Sequence, residues 1–159
     1  MDIAPFSDPY DSPDIRIDPF SRLFPTVAFY ARTFSIVCQA AWHTRQGYSI
    51  AKWAADSKTF MRYAENSGIR FHIDNASAFS RLDGPCVVVA NHMSTMETFC
   101  MPGLLATQRP IAFVLKRSLT TYPVFHRVVN AVEPIAVDRV NPRDDFKAVM
   151  ELGQERLSR

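Results

Sequence analysis

His92 and Glu97, five positions apart in Asn91-His92-Met93-Ser94-Thr95-Met96-Glu97, are the residues of this chain best suited to chemistry. An imidazole can take the proton of a hydroxyl, and a nearby carboxylate can orient the ring and stabilise its charged form. Together they make a base and its orienter, the arrangement a hydroxyl nucleophile needs. On a continuous α-helix, residues five apart are turned by about 140° from one another and do not meet. The chain must therefore change direction between them. The apolar run Cys86-Val87-Val88-Val89-Ala90 reads as a buried strand ending at Asn91, and a helix starting near Ser94 would carry Glu97 in its first turn, within reach of the ring. Ser94-Thr95-Met96-Glu97 also spells a capping box, in which hydroxyl and carboxylate satisfy free N–H groups at a helix start. A carboxylate has two oxygens, so both roles can be held at once.

Two further groups of charge follow apolar runs: Lys116-Arg117 after residues 111–115, and Asp138-Arg139 after residues 134–137. In a parallel α/β sheet the carboxyl ends of the strands line one edge, where ligands usually bind. A base and several cations on one crevice suit a substrate carrying phosphate, which Arg binds bidentately and Lys as a point charge. The plainer alternative makes Lys116, Arg117 and Arg139 solvated loop residues, with Asp138 pairing with one of them.

The elements that must position these groups follow from periodicity. Past Gly68, short apolar runs alternate with helical patterns: strands at residues 70–73, 85–91, 111–116 and 134–137, and helices at 94–107 and 122–130. A last helix begins at the N-cap Asn141 and Pro142 and is expected to bury Phe146, Val149, Met150, Gly153 and Leu157. This alternation predicts an α/β fold with a mostly parallel sheet flanked by helices. It is preceded by an N-terminal amphipathic helical pair. In residues 26–42, Val27, Tyr30, Ala31, Phe34, Val37, Cys38 and Ala41 recur at three and four, and in residues 49–65 Trp53, Phe60, Met61 and Ala64 share one side. Neither segment reaches the 18 apolar residues of a membrane span. Both can lie in the membrane interface or pack against the domain that follows.

Residues 1–25 form an acidic leader broken by Pro5, Pro9, Pro13, Pro19 and Pro25, read as extended and mobile. Residues 26–66 are the amphipathic pair, and residues 68–159 the α/β domain, expected to be incomplete at its C-terminal side. The net charge of +2 conceals an asymmetry, because residues 1–20 hold five Asp against Arg16 alone. Residues 21–65 hold Arg22, Arg32, Arg45, Lys52, Lys58 and Arg62 against Asp56 and Glu65, a basic and aromatic stretch suited to an anionic surface. Cys38, Cys86 and Cys100 have no metal-binding spacing, so neither disulfide nor zinc is expected. The start of the chain lacks the pattern of a signal peptide, which points to the cytoplasmic side.

With these residues in place, residues 68–159 resemble the glycerolipid acyltransferase family, of which the 1-acylglycerol-3-phosphate acyltransferases are the best-known members. The family's first motif, Asn-His, four residues and Asp, matches Asn91-His92 to Glu97, with Glu in place of Asp. Its second motif corresponds to Glu133-Pro134-Ile135-Ala136-Val137-Asp138-Arg139, with Glu133 in place of Gly. Lys116 resembles the lysine after the family's second core strand, and the third motif, Phe-Pro-Glu-Gly-Thr-Arg, does not occur. The resemblance implies acyl transfer from an acyl thioester, acyl-CoA or acyl carrier protein, to the hydroxyl of a lysophospholipid such as lysophosphatidate, in phospholipid biosynthesis. His92 and Glu97 would be catalytic, with Asn91, Lys116, Arg117 and Arg139 at the substrate. It implies no metal and no other cofactor, and a peripheral or monotopic place on the cytoplasmic membrane face. Nucleic acid is not an expected partner, since no recognition motif occurs. The alternative from another class is a non-catalytic membrane-surface or lipid-binding module on the same scaffold. A serine hydrolase is disfavoured, because the chain has no G-x-S-x-G elbow.

Overall fold

Two long helices and a short parallel strand pair organise the chain, as seen in a computed structural model that describes residues 6–107 and 109–158. In chain order the elements are β1 (Tyr10–Asp11), α1 (Pro19–Leu23), α2 (Pro25–His43), α3 (Ile50–Asn66), β2 (His72–Ile73), α4 (Met96–Leu105), β3 (Val114–Lys116), α5 (Phe125–Ala131), β4 (Ile135–Val137) and α6 (Pro142–Leu157). Short 3-10 turns at Thr44–Gln46, Ala76–Arg81 and Arg117–Thr120 join them. The fold is α/β, with small sheets. β1 pairs antiparallel with β2, and β3 pairs parallel with β4 in the register Val114 to Ile135 and Lys116 to Val137.

Helix starts follow local chemistry. Asp18 accepts the Ser21 N–H at 2.9 Å and is followed by Pro19, Ser49 accepts the Lys52 N–H at 3.2 Å, and Asn141 accepts the Arg143 N–H at 3.1 Å ahead of Pro142. Between α2 and α3 the chain reverses at Gly47, whose φ of 92° lies where a side chain is disfavoured.

α3 is the central buried helix. It turns Ala54, Ser57, Phe60, Met61, Ala64 and Glu65 inward, and Phe60 stacks on Phe99 of α4 with ring centroids 4.9 Å apart. Burial of side chains such as Phe60 and Met61 contributes roughly 1.5–3 kcal/mol each. One polar side chain joins the two helices. The buried Ser57 hydroxyl donates to the Phe99 carbonyl and accepts the Gly103 N–H at 2.8 Å, on the stretch of α4 interrupted by Pro102. A Cβ built on Gly103 would lie 2.8 Å from Ser57 Oγ, so glycine is what permits this approach.

Several expectations change here. The leader is not loose across its described part, residues 6–25, and it is free of helix only up to Asp18. Tyr10 and Ser12 both donate to the buried Glu65 carboxylate at 2.6 Å, Asp8 accepts the Ser77 N–H at 3.0 Å, and Asp18 is paired with Arg32 at 2.7 Å. Burial, and then the Glu65 carboxylate, push the Tyr10 hydroxyl up to about 12. Residues 1–5 of the leader lie outside the described residues. The proline at position 19 begins a helix rather than breaking one, because its missing N–H is not needed in a first turn.

The run at residues 85–91 is not a buried strand. It is exposed, with Val87 74% and Val89 91% accessible, and it pairs with neither β3 nor β4. Apolar sequence alone does not make a strand, which needs a neighbour to take its N–H and C=O groups. Cys86 is accordingly exposed. α6 has no buried residue, and Phe146 and Met150 face outward. Two strands spaced about 4.8 Å apart offer a helix roughly 10 Å across only one narrow face.

α2 also departs from its pattern. It buries the small face Ala28, Ile36, Ala40 and Ala41, while Val27, Tyr30, Phe34 and Trp42 are exposed and continue the exposed Phe20, Leu23 and Phe24 of the preceding turns. The polar Arg32 faces inward to Asp18, Ser21 and Ser67. No helix among the described residues is long and apolar enough to cross a membrane.

Candidate active site

Asn91, His92 and the residues up to Thr95 form an exposed turn leading into α4, whose first turn carries Glu97. The turn brings the two side chains together: His92 Nδ1 lies 3.7 Å from Glu97 Oε2. That is an ion-pair distance, longer than a hydrogen bond, of the kind that tightens when a substrate is bound. The carboxylate is held from the other side. Its Oε1 accepts the N–H groups of Met93 and Ser94, each at 3.0 Å, its Oε2 accepts the Ser94 hydroxyl at 2.9 Å, and the same hydroxyl accepts the Met96 N–H at 3.0 Å. One carboxylate thus holds the start of α4 and stands beside the His92 ring.

These bonds hold Glu97 below the usual carboxylate value. Its own backbone N–H contributes most, ahead of the Ser94 hydroxyl and the N–H groups of Met93 and Ser94, while burial works in the opposite sense. An ionised carboxylate beside Nδ1 favours the tautomer with its proton on that nitrogen, leaving Nε2 as the basic one.

The second cluster is built at the carboxyl end of the β3–β4 pair. Lys116 ends β3 opposite Val137, which ends β4, so Lys116, Arg117, Asp138 and Arg139 gather there. Arg117 donates from Nε to Asp138 at 2.6 Å and from Nη2 to the Ala136 carbonyl at 3.2 Å, which is the plainer pairing weighed for this group. Lys116 and Arg139 are exposed and make no ion pair among the described residues. Arg139 takes a left-handed backbone, φ 61°, and the N–H groups of Asp138 and Arg139 both donate to the Asp145 carboxylate, at 2.8 and 2.7 Å.

The structure thus brings His92 to Glu97 and gathers Lys116, Arg117 and Arg139. Among the described residues no hydrogen bond or ion pair joins the two clusters. Asn91 is exposed beside His92. Neither Asp145 nor Ser57 stands out as a site residue in the sequence. The Asp-Arg pair six and seven positions before an acid in a helix's first turn was the available signal for Asp145, whereas nothing local marks Ser57.

Glu133, where the resembling family has glycine, also adopts a left-handed backbone, φ 46°. Its carboxylate accepts Arg156 Nη1 at 2.8 Å, and its carbonyl accepts Nη2 at 3.3 Å.

His92 and Glu97 meet across the turn into α4, and cations stand at the ends of the parallel β3–β4 pair. The Acyltransferase family profile matches residues 68–159, and the chain belongs to that family. Over 147 residues the chain is 33% identical to the 1-acyl-sn-glycerol-3-phosphate acyltransferase of Pseudomonas aeruginosa, a match that covers 91% of this chain and 54% of that protein. The chain spans about half the length of this curated relative. No solved structure matches it significantly.

Proposed function

We propose that the protein transfers a fatty acyl group from an acyl thioester, acyl-CoA or acyl carrier protein, to the free hydroxyl of a lysophospholipid, lysophosphatidate above all. The approach of His92 to Glu97 carries this reading. In the reaction, His92 takes the hydroxyl proton as the acceptor oxygen attacks the thioester carbonyl. The C–O bond forms, the C–S bond breaks, and the leaving thiolate recovers the proton from the imidazolium. Glu97 orients the ring and stabilises its charged form. Lys116 and Arg139, with Arg117 beside them, hold the acceptor phosphate, and Asn91 flanks the base at the substrate. No step in this scheme calls for a metal or another cofactor.

The β3–β4 pair is, in this proposal, the parallel core of the sheet that carries the site, and α2 with α3 is the amphipathic pair that takes it to the cytoplasmic face of the membrane. The exposed stripe of Phe20, Leu23, Phe24, Val27, Tyr30 and Phe34 supports a monotopic placement. His92→Ala in the full-length protein is expected to abolish acyl transfer to lysophosphatidate while leaving folding and vesicle flotation intact. Unchanged turnover rules the mechanism out. If the unaltered protein floats with vesicles but turns nothing over, it is the lipid-binding module instead.

A further inference from the structure

We infer that Asp145 is a positioning residue for the phosphate-binding cation Arg139, an inference that rests on the role proposed for Arg139 above. The argument begins at the end of β4. After Val137 the strand has no further ladder partner, and the next two N–H groups, of Asp138 and Arg139, would point at water. Both are instead captured by one carboxylate, Asp138 N to Asp145 Oδ1 at 2.8 Å and Arg139 N to Asp145 Oδ2 at 2.7 Å. Bonds to a charged acceptor are about twice as strong as neutral ones, and the two together fix the peptide plane as well as its position.

The fixed peptide has an unusual conformation. Arg139 lies at φ 61°, a left-handed region that a long side chain rarely adopts without an external restraint. Asp145 supplies that restraint from a rigid base. Its own N–H donates to the Asn141 carbonyl at 3.1 Å, which places it in the first turn of α6, and Asn141 in turn caps that helix and donates to Asp144 at 2.7 Å. The direction in which the Arg139 side chain leaves the backbone is therefore set by the helix that follows it.

The same geometry resolves a problem of charge. Asp138 and Asp145 both lie beside the cation cluster and would repel a phosphate. Asp138 is paired with Arg117 at 2.6 Å, and the Asp145 carboxylate is turned onto two N–H groups. Both acids are thus spent on the protein, and the Arg139 guanidinium is left for the ligand.

The test compares the full-length protein with Asp145→Ala, Arg139→Ala and the double variant, measuring kcat and KM for a short-chain lysophosphatidate and KM for the acyl donor. Arg139→Ala is expected to raise the acceptor KM tenfold or more, and Asp145→Ala to raise it by about tenfold. In both, kcat and donor KM stay within about twofold, a split that general loosening of the fold would not produce. The double variant is expected to match Arg139→Ala alone, since a positioning residue has nothing left to position. If Arg139→Ala raises the acceptor KM and Asp145→Ala does not, or if the two effects multiply, the inference is overturned. An unchanged acceptor KM in Arg139→Ala overturns the phosphate role of Arg139 and this inference with it. Asp145→Asn, which keeps one acceptor oxygen, is read by the same criteria where the alanine variant does not fold.

Discussion

His92 Nδ1 and Glu97 Oε2 stand 3.7 Å apart, while that carboxylate is already gripped by the backbone of residues 93 and 94. Glu97 is thus immobilised by the very turn that separates it from His92. Glu97→Gln should keep part of the cap but lose the ionised partner of the imidazole, lowering kcat by about a hundredfold. Glu97→Asp retains the charge but falls one methylene short of the N–H groups, and is expected to lie between the two in kcat and to soften the start of α4. Because Glu97 is held below 4.5, its stabilising contribution is complete above that value and is lost as pH falls through the lower folded one. Acid unfolding curves of Glu97→Gln should therefore show a shallower pH dependence below about 4.5 than the parent.

The contact between Ser57 and Gly103 gives a prediction about packing. Gly103→Ala should destabilise by about 1–3 kcal/mol, since its Cβ would meet Ser57 Oγ at 2.8 Å and Lys58 N at 3.3 Å. Ser57→Ala should cost about 1 kcal/mol, because the freed groups of α4 can still bond along the helix. Removing the hydroxyl also opens room for the new methyl. The double variant, measured by urea unfolding, should then be more stable than the sum of the single effects implies.

At the edge of the leader, His72 lies between two acids, with Nδ1 2.5 Å from Asp11 and Nε2 2.9 Å from Asp74. The hydrogen bond to Asp11 raises the His72 value above 6.5 most, with Asp74 adding to it. The contribution of His72 to fastening the leader is therefore complete below 6.5 and is lost as pH rises through the higher folded value. Hydrogen exchange of the Ser12 N–H, which donates to the Phe71 carbonyl at 2.9 Å, should accelerate across that window beyond the intrinsic pH effect. In Asp11→Asn the His72 ring, followed by NMR, should titrate at lower pH.

Glu133 sets a backbone penalty against an ion pair. Glu133→Gly removes the cost of the left-handed conformation, about 1 kcal/mol, while giving up a partly exposed pair worth about as much or less, Arg156 keeping its bond to the carbonyl of residue 133. Glu133→Ala keeps the cost and loses the pair. Thermal unfolding should place Glu133→Gly above Glu133→Ala by about 1 kcal/mol.

The exposed aromatic stripe should be separable from the chemistry. Phe34→Glu together with Tyr30→Glu is expected to cut flotation with anionic vesicles at least fivefold, since each large apolar side chain withdrawn from the interface costs roughly 1–3 kcal/mol. Activity toward an acceptor dispersed in detergent should change much less. Equal flotation of the parent and the variant would remove the stripe from the membrane.

Much of this organisation was legible because it is local. The three-and-four spacing in residues 26–42 and 49–65 marks α2 and α3, Asn141-Pro142 marks the start of α6, and the turn between His92 and Glu97 follows from their separation alone. What could not be read depends on neighbours distant in the chain. Residues 85–91 look like a strand until one asks what pairs with them, and the leader looks loose until Tyr10 and Ser12 find Glu65 more than fifty residues away. The apolar side of α2 was visible, but which side faces out was not, since Ala28, Ala40 and Ala41 make a closer helix contact than Tyr30 and Phe34 would allow. Asp145 stands in the first turn of α6. Its two N–H partners lie outside that helix, and only the folded loop delivers them.

The two hydroxyls that meet the buried Glu65 set a practical boundary on the polypeptide. Begun at Pro19, a shortened version would retain every helix named above yet leave an acid in its interior without those donors, where an uncompensated charge is costly to keep. Fragments intended for expression should start upstream of Tyr10, and those that do not should be rescued by Glu65→Gln more than by any added surface contact.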